Sequence, residues 1–254
     1  MNHAPIQNFT VVESIYGKFI VNRHCSFQAE HLIKTGTPHI QAELKSILAI
    51  VDTLPERCVV VDVGANVGLV AIPVAQLIKQ RGGVVYAFEV QRMMSYALCG
   101  AAALNDLENV FVSHCGLGAS RGILTAPMPN YAAPQDFGSF SLVLGNDGVR
   151  FDAGRNEKES IQIAPIDELK LPRVDFLKVD VEGMEVQVLA GAAQTLRQWR
   201  PWCWIEYWKV KIEDIKAAFT SLPYRFFVMD DLNLLCAPTE RTAGLQFKID
   251  AREV

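Results

Sequence analysis

The segment Asp62-Val-Gly64-Ala-Asn66-Val-Gly68 has the residue types of a ligand-binding turn, and it follows the apolar stretch CVVVD. Its two glycines allow a sharp turn and a close approach of a ligand to the backbone, and asparagine tolerates a left-handed conformation. The helix expected after the turn would offer free N–H groups. The segment predicts a ligand-binding loop, although glycine-rich turns also occur without a ligand.

Two further residues are candidates for contacting a nucleoside. Glu89 follows the apolar stretch VVYAF, 21 residues after Gly68. A carboxylate at this offset accepts hydrogen bonds from both hydroxyls of a ribose, whereas its alternative role is to cap the next helix. His114 ends a later apolar stretch and could contact an adenine, or it could be a structural histidine with a hydrogen bond of its own.

The glycine loop favours S-adenosylmethionine over a dinucleotide. Dinucleotide-binding loops have the pattern G-x-G-x-x-G, but here Asn66 occupies the place of the second glycine and obstructs a pyrophosphate. Asp62 adds a negative charge that suits a cationic sulfonium compound better than a diphosphate. Two alternatives stay open, which are a nicotinamide-dependent Rossmann oxidoreductase and a non-catalytic nucleoside-binding protein of the same fold.

A group of acids follows two later apolar stretches. Asp180, Glu182 and Glu185 lie in DFLKVDVEGME, and Glu206 ends RPWCWIE. Because carboxyl ends of parallel strands meet at one edge of a sheet, these acids should lie close together. Neighbouring carboxylates can supply a general base or bind a divalent ion, and helix capping would explain Glu185 alone. We predict Asp180, Glu182 and Glu206 as catalytic, in no order, and predict no metal site.

An alternating α/β chain would position these residues. Strand-like stretches alternate with helical ones from Cys58 onward, which predicts right-handed crossovers and a doubly wound, mostly parallel sheet. Residues 1–55 are predicted to form an accessory segment, and residues 56–254 the main domain. Ser14–Val21 is expected to form a short strand or a hairpin. The expected helices are Gln41–Leu54, Gln91–Leu104, Met184–Leu196 and Lys211–Leu222, and the expected strands are Asn109–His114, Ser139–Leu144, Val174–Val181, Trp202–Tyr207, Arg225–Met229 and Leu245–Ile249.

Composition narrows the class of protein. The 254 residues carry a net charge of −4, which argues against a nucleic-acid partner. The six cysteines include no CxxC pair, as is usual for free thiols in a reducing compartment. No signal peptide and no stretch long enough for a membrane span are visible. These features predict a cytoplasmic protein, and they do not indicate its oligomeric state.

The motifs in this order resemble the FkbM family of methyltransferases. The similarity rests on DVGANVG, YAFE, DFLKVDVEGMEVQVLAGA and RPWCWIE, and more weakly on IYGKFIVN and FGSFSLVL, within residues 12–230. It implies a Rossmann-like methyltransferase sheet of seven strands that binds S-adenosylmethionine. The residues that carry over as cofactor positions are Asp62, Gly64, Asn66, Gly68 and Glu89, and those that carry over as crevice acids are Asp180, Glu182 and Glu206.

The resemblance also implies a reaction. A hydroxyl of a sugar, polyketide or other small metabolite would take the methyl group, and S-adenosylhomocysteine would leave. The acceptor, a small molecule or glycan, is not named by any motif. Asp136 stands where an asparagine is common in the family, within the irregular segment 115–160.

Overall fold

The computed structural model describes residues 7–142, 158–242 and 252–254. Its strands are β1 (Phe9–Ser14), β2 (Gly17–Asn22), β3 (Val59–Val63), β4 (Val84–Phe88), β5 (Val110–Ser113), β6 (Gly116–Leu117), β7 (Gly122–Pro127), β8 (Lys158–Ala164), β9 (Phe176–Val179), β10 (Trp202–Glu206), β11 (Tyr224–Val228), β12 (Asn233–Pro238) and β13 (Arg252–Glu253). Its α-helices are α1 (Gln28–Thr35), α2 (Gln41–Asp52), α3 (Ala71–Lys79), α4 (Arg92–Leu104), α5 (Glu185–Ala190), α6 (Ala193–Trp199), α7 (Ile212–Ala217) and α8 (Thr239–Thr242).

A central sheet organises the molecule. Its strand order is β13-β11-β12-β10-β9-β3-β4-β5. The five strands from β10 to β5 run parallel, and β12, β11 and β13 join antiparallel at one edge. The prediction of seven strands is therefore wrong in number, since eight are present within the described residues. The antiparallel strand β12 went unpredicted, and the predicted strand Leu245–Ile249 lies outside the described residues.

The strand order creates a crevice beside β3. The chain runs outward from β3 to β4 and β5, and then returns to place β9 and β10 on the other side of β3. The turns after β3 and β9 therefore leave the sheet side by side at its carboxyl edge, which is where open α/β sheets bind ligands.

Residues 7–55 pack on the same core as the sheet. β1 and β2 form a hairpin over Phe9–Asn22, of which the predicted range Ser14–Val21 covers the turn and most of β2. Phe19, Leu32 and Leu44 are fully buried and belong to one apolar cluster with Val60 and Ile72. Burial of this kind is the main favourable contribution to folding, so this segment, which we call the lead-in (residues 7–55), contributes to the stability of the sheet.

The lead-in is also hydrogen-bonded to a loop that follows β7. The Asn22 Nδ2 donates to the Tyr131 carbonyl at 2.9 Å. The Ser26 N–H donates to the Gln135 carbonyl at 3.1 Å, and the Gln135 N–H donates to the His24 carbonyl at 3.0 Å. The lead-in and this loop therefore form one connected surface.

Two predicted elements differ from the structure. The predicted helix Met184–Leu196 is divided into α5 and α6 around Gly191, where a Cβ atom would lie 2.0 Å from the Gly118 carbonyl oxygen. The described part of Ser139–Leu144, which ends at Leu142, contains no strand. The three-stranded sheet β6-β8-β7 contains part of the segment predicted to be irregular.

Pro73 lies in the first turn of α3, where its missing N–H costs no hydrogen bond. Within residues 7–142, 158–242 and 252–254, no helix combines the length and apolar character needed to cross a bilayer.

Candidate functional site

A cavity of about 480 Å³ opens at the carboxyl edge of the sheet. It is bounded by the turns after β3, β4, β9 and β10, and on one side by the lead-in. The structure brings seven of the predicted site residues together on its lining, namely Asp62, Gly64, Asn66, Glu89, Asp180, Glu182 and Glu206.

Gly64 fits where a side chain could not. Its φ is +83°, and a Cβ atom there would lie 1.8 Å from the carbonyl oxygen of Asp180. Asn66 is also left-handed, with φ +49°. The glycine loop therefore packs directly against the backbone of Asp180.

Glu89 is buried at the end of β4 and holds the glycine loop. Its two oxygens accept the backbone N–H groups of Asn66 and Gln91, each at 2.7 Å. Burial raises the pKa of Glu89 to about 7, although these two N–H groups oppose the shift. Because a carboxylate oxygen can accept more than one hydrogen bond, Glu89 keeps acceptor capacity for a ligand in the cavity.

Asp62 lies in β3 with 1% of its surface exposed. Neither carboxylate oxygen has a hydrogen-bond partner within the described residues. Burial raises the pKa of Asp62 to about 6, and the Lys178 ammonium, 4.0 Å away, opposes the shift. Since buried acceptors are normally satisfied, Asp62 is suited to receive a donor from a ligand.

Lys178 is a site residue that the sequence interpretation missed. It is buried in β9, lines the cavity, and donates a hydrogen bond from Nζ to the Asp180 Oδ2 at 2.9 Å. Burial would lower the pKa of Lys178, but the charges of Asp180 and Asp62 outweigh it and raise that pKa above its ordinary value. A lysine within the apolar strand FLKV was the available signal, because lysine is almost never fully buried unless it is paired.

The three predicted catalytic acids converge. Asp180, Glu182 and Glu206 each have a carboxylate oxygen within 4.8 Å of the others. Lys209 Nζ lies 2.6 Å from Glu182 Oε2. Burial raises the pKa of Glu182 to about 7, although Lys209 opposes this. Burial, followed by the charges of Asp180 and Glu182, raises the pKa of Glu206 further.

Glu185 caps the start of a helix, which is the alternative role that the sequence suggested for it. Its buried carboxylate accepts the N–H groups of Val181 and Gly183 at 3.1 Å, at the start of α5. It therefore fixes the turn that presents Asp180 and Glu182 to the cavity.

Two predicted cofactor positions lie away from the cavity lining. A Cβ atom on Gly68 would lie 2.4 Å from Leu98 Cδ1, so this glycine permits the close packing of α4. His114 is exposed, and its Nε2 lies 3.0 Å from the Val90 carbonyl oxygen. The structure thus gives Gly68 a packing role and His114 a hydrogen bond to the main chain.

The lead-in contributes one side of the cavity, which we call the lead-in wall and which consists of Phe27, Gln28, His39 and Glu43. Burial raises the pKa of Glu43 to about 7, although Lys178 opposes the shift. The His39 Nδ1 is buried and has no hydrogen-bond partner within the described residues. Sequence interpretation missed this wall because it has no motif and lies far from the glycine loop along the chain.

Comparison with known proteins places these features in a family. Residues 62–228 match the family model of the methyltransferase FkbM domain. A curated relative, methyltransferase sdnD of Sordaria araneosa, is 30% identical over an alignment of 165 residues, and the match covers 54% of this chain and 61% of the relative.

A solved structure has the same fold. The crystal structure of methyltransferase FkbM from Methylobacillus flagellatus KT superposes with a TM-score of 0.52 and 17% identity. The match covers 85% of this chain and 55% of that protein. The chain therefore spans about half to six-tenths of the length of these two relatives.

Proposed function

This chain belongs to the FkbM methyltransferase family, and from that premise we propose that it transfers a methyl group from S-adenosylmethionine to a hydroxyl oxygen of a small metabolite, sugar or polyketide. One observation carries the proposal. The same cavity contains two buried acids that can accept hydrogen bonds from a ligand, Asp62 and Glu89, and three converging acids, Asp180, Glu182 and Glu206.

The residues of the cavity fit this cofactor better than a dinucleotide. Glu89 would accept hydrogen bonds from the ribose hydroxyls, and Asp62 would receive the ammonium group of the methionine part. Both carboxylates are more than nine-tenths buried. A pyrophosphate beside them would meet like charges in a poorly screened site, which disfavours the nicotinamide alternative.

The three converging acids suit acceptance of a proton. S-adenosylmethionine supplies, when bound, a methyl group already activated on a sulfonium. Asp180, Glu182 and Glu206 are proposed to orient the acceptor hydroxyl and to take its proton, a contribution of ~10²–10⁴ in rate. Of the acids that follow β9, only Glu185 is used as a cap, which supports a catalytic site over a non-catalytic binding protein.

The proposal includes no metal ion. Lys178 already contacts one carboxylate oxygen of Asp180, and Lys209 contacts one of Glu182. A divalent ion would have to compete with these two ammonium groups for its ligands.

Cofactor binding is tested with Glu89→Gln. This change keeps the size of the side chain but removes its charge and replaces one acceptor oxygen by an NH2 group. We expect the dissociation constant for S-adenosylmethionine to rise ~10–100-fold, as for loss of a charge-assisted hydrogen bond worth about 1.5–3 kcal/mol. Isothermal titration calorimetry measures it, with the exposed Glu213→Gln as the matched control. Unchanged affinity in Glu89→Gln would remove Glu89 from the cofactor site.

Methyl transfer is tested with radiolabelled S-adenosylmethionine and a panel of sugar, polyketide and lipid-linked acceptors, with and without a chelator. We expect label on an oxygen of at least one hydroxyl-bearing acceptor, and no loss of transfer with the chelator. Label found only on nitrogen or carbon would contradict O-methylation, and loss of transfer with the chelator would contradict the metal-free site.

A further inference from the structure

The three converging acids differ in what holds them. Asp180 accepts a hydrogen bond from Lys178 at 2.9 Å, and Glu182 is paired with Lys209 at 2.6 Å. Within the described residues, no hydrogen bond or ion pair is found for the carboxylate of Glu206, although it lines the same cavity and is half-buried. One of the three is thus left with both oxygens free to meet an acceptor hydroxyl.

On the basis of the methyl transfer proposed above, we propose that Glu206 is the general base, and that Lys178 and Lys209 are positioning residues that hold the carboxylates of Asp180 and Glu182 in place beside it. The two lysines pair with Asp180 and Glu182 and leave Glu206 unpaired within the described residues, so the three acids have different roles. A carboxylate paired with an ammonium group is a weak proton acceptor, whereas one that faces two other carboxylates binds a proton tightly.

The charged groups around Glu206 support its assignment as the base. The charged groups that face it are, from β9 and the turn and helix after it, Lys178, Asp180, Glu182 and Glu185. Three are acids and one is a lysine already bonded to Asp180. Burial and this surplus of negative charge raise the pKa of Glu206, so its ionised form, which is the base, becomes populated only as the pH rises.

The backbone that carries Glu206 is held firmly. Glu206 ends β10 opposite Asn233 of β12. The Asn233 Oδ1 accepts the indole N–H of Trp204 at 2.9 Å, and the Asn233 N–H donates to Asp230 Oδ1 at 2.7 Å. The Tyr207 N–H donates to the Leu232 carbonyl at 2.8 Å. These bonds fix the end of β10, so the position of the Glu206 carboxylate depends on its own rotamer.

The proposed step balances in atoms and charge. The acceptor hydroxyl gives its proton to a Glu206 oxygen while the hydroxyl oxygen forms a bond to the methyl carbon. The carbon–sulfur bond breaks with its electron pair left on sulfur. The carboxylate becomes neutral as the sulfonium becomes a neutral thioether, so the methyl ether forms without further reactants.

A direct titration tests the base before any acceptor is known. Protein labelled with ¹³C at the glutamate carboxyl carbons is titrated by NMR, and the Glu206 signal is identified as the one lost in Glu206→Gln and in Glu206→Asp. We expect it to titrate well above the usual ~4.3, and to shift to lower pH in Asp180→Asn because a neighbouring charge is removed. A Glu206 signal in the usual range, or one insensitive to Asp180→Asn, would overturn the proposal.

Kinetics with an acceptor from the panel give a second test. We expect Glu206→Gln to lower kcat by ~10²–10⁴ with unchanged calorimetric affinity for S-adenosylmethionine, and Glu213→Gln to behave as the wild type. Lys209→Met should move the midpoint of kcat against pH upward, and Lys209→Arg should restore it. Retained kcat in Glu206→Gln would refute the base while leaving the proposed function intact, whereas a wild-type protein that binds no S-adenosylmethionine would refute the proposed function itself.

Discussion

Asp62 illustrates how a proposed binding residue can weaken the fold that holds it. Its carboxylate is buried, and within the described residues neither oxygen accepts a hydrogen bond. The pKa of Asp62 is raised by burial to about 6. A group whose pKa is higher in the folded protein contributes most stability when protonated, so this contribution is lost as the pH rises from about 4 through about 6. The loss amounts to roughly 3 kcal/mol for a shift of about two pKa units.

We therefore predict that Asp62→Asn stabilises the ligand-free protein at pH 8 by on the order of 1 kcal/mol, since the amide is neutral but still lacks partners. The gain should shrink as the pH falls below 6, where Asp62 itself becomes protonated. Urea denaturation at pH 8 and pH 4.5 measures it, with exposed Asp231→Asn as the control. A stability gain of the same size at both pH values would show that the charge of Asp62 is not the cause of the gain.

The glycine loop is constrained by an adjoining element. Gly64 combines a left-handed φ of +83° with a contact that leaves no room for a Cβ atom beside Asp180. The turns after β3 and β9 therefore fit together only when position 64 is glycine. The separation of these two turns decides how far apart the acids proposed for the cofactor and those proposed for catalysis lie.

Gly64→Ala should destabilise the protein by roughly 3 kcal/mol or more, because backbone strain adds to the displacement of the neighbouring turn. Gly122→Ala in β7 is the matched control, since no atom lies within 4 Å of its added Cβ, and it should change stability by less than ~0.5 kcal/mol. Urea denaturation compares the two. Similar midpoints for Gly64→Ala and the wild type would contradict the close fit.

The sequence allowed prediction of those elements whose patterns are local. The parallel strands β3, β4, β9 and β10 are largely apolar runs, and each ends at or just before a residue suited to a ligand. The hairpin β1–β2 and helix α4 also agree with the prediction. The convergence of Asp180, Glu182 and Glu206 followed from strand order alone, because all three leave the same edge.

Features that depend on long-range contacts escaped prediction. At the break between α5 and α6, Gly191 packs against the carbonyl oxygen of Gly118, which lies far away in sequence. The antiparallel pairing of β12 reflects a reversal of chain direction that an apolar run does not reveal. His39 and Glu43 gain their significance from neighbours on other elements, so their residue types alone were not informative, whereas Lys178 had a local signal as a lysine within an apolar strand.

At the scale of the whole molecule, the cavity is strongly acidic. Its acidic lining residues are Glu43, Asp62, Glu89, Asp136, Asp180, Glu182, Glu206 and Asp230, against Lys178 as the lysine in the described lining. Because burial raises the pKa of several of these acids, the negative charge of the lining increases as the pH rises. Such a field repels anions and attracts cations within a partly enclosed space. The proposed acceptor should accordingly be neutral or positively charged.

We predict that a neutral acceptor from the panel is methylated with a kcat/KM at least ~10-fold above that of its phosphorylated form, a difference of about 1.4 kcal/mol. The phosphate should be placed far from the accepting hydroxyl, so that its charge and not its bulk is tested. An equal rate for the two forms, or a preference for the phosphorylated one, would show that the acids do not govern acceptor choice.

The burial of the lead-in against the sheet predicts that the molecule unfolds as one unit. Phe19 is fully buried, and Phe19→Ala should cost about 3–5 kcal/mol, whereas Ile15→Ala at an exposed position should cost little. Fluorescence and circular dichroism should report the same single transition in urea. A separate early transition confined to Phe19→Ala would mean that the lead-in unfolds independently.

The hydrogen bonds between the lead-in and the loop around Gln135 also bear on how such a cavity can be altered in evolution or in the laboratory. The lead-in wall and Asp136 border the cavity from two distant parts of the chain, yet their backbones are joined. A chimera that imports only one of the two from a relative would break these bonds. Exchange of both together, with the glycine loop and the acids retained, is the recombination that should yield a folded protein with a changed acceptor range.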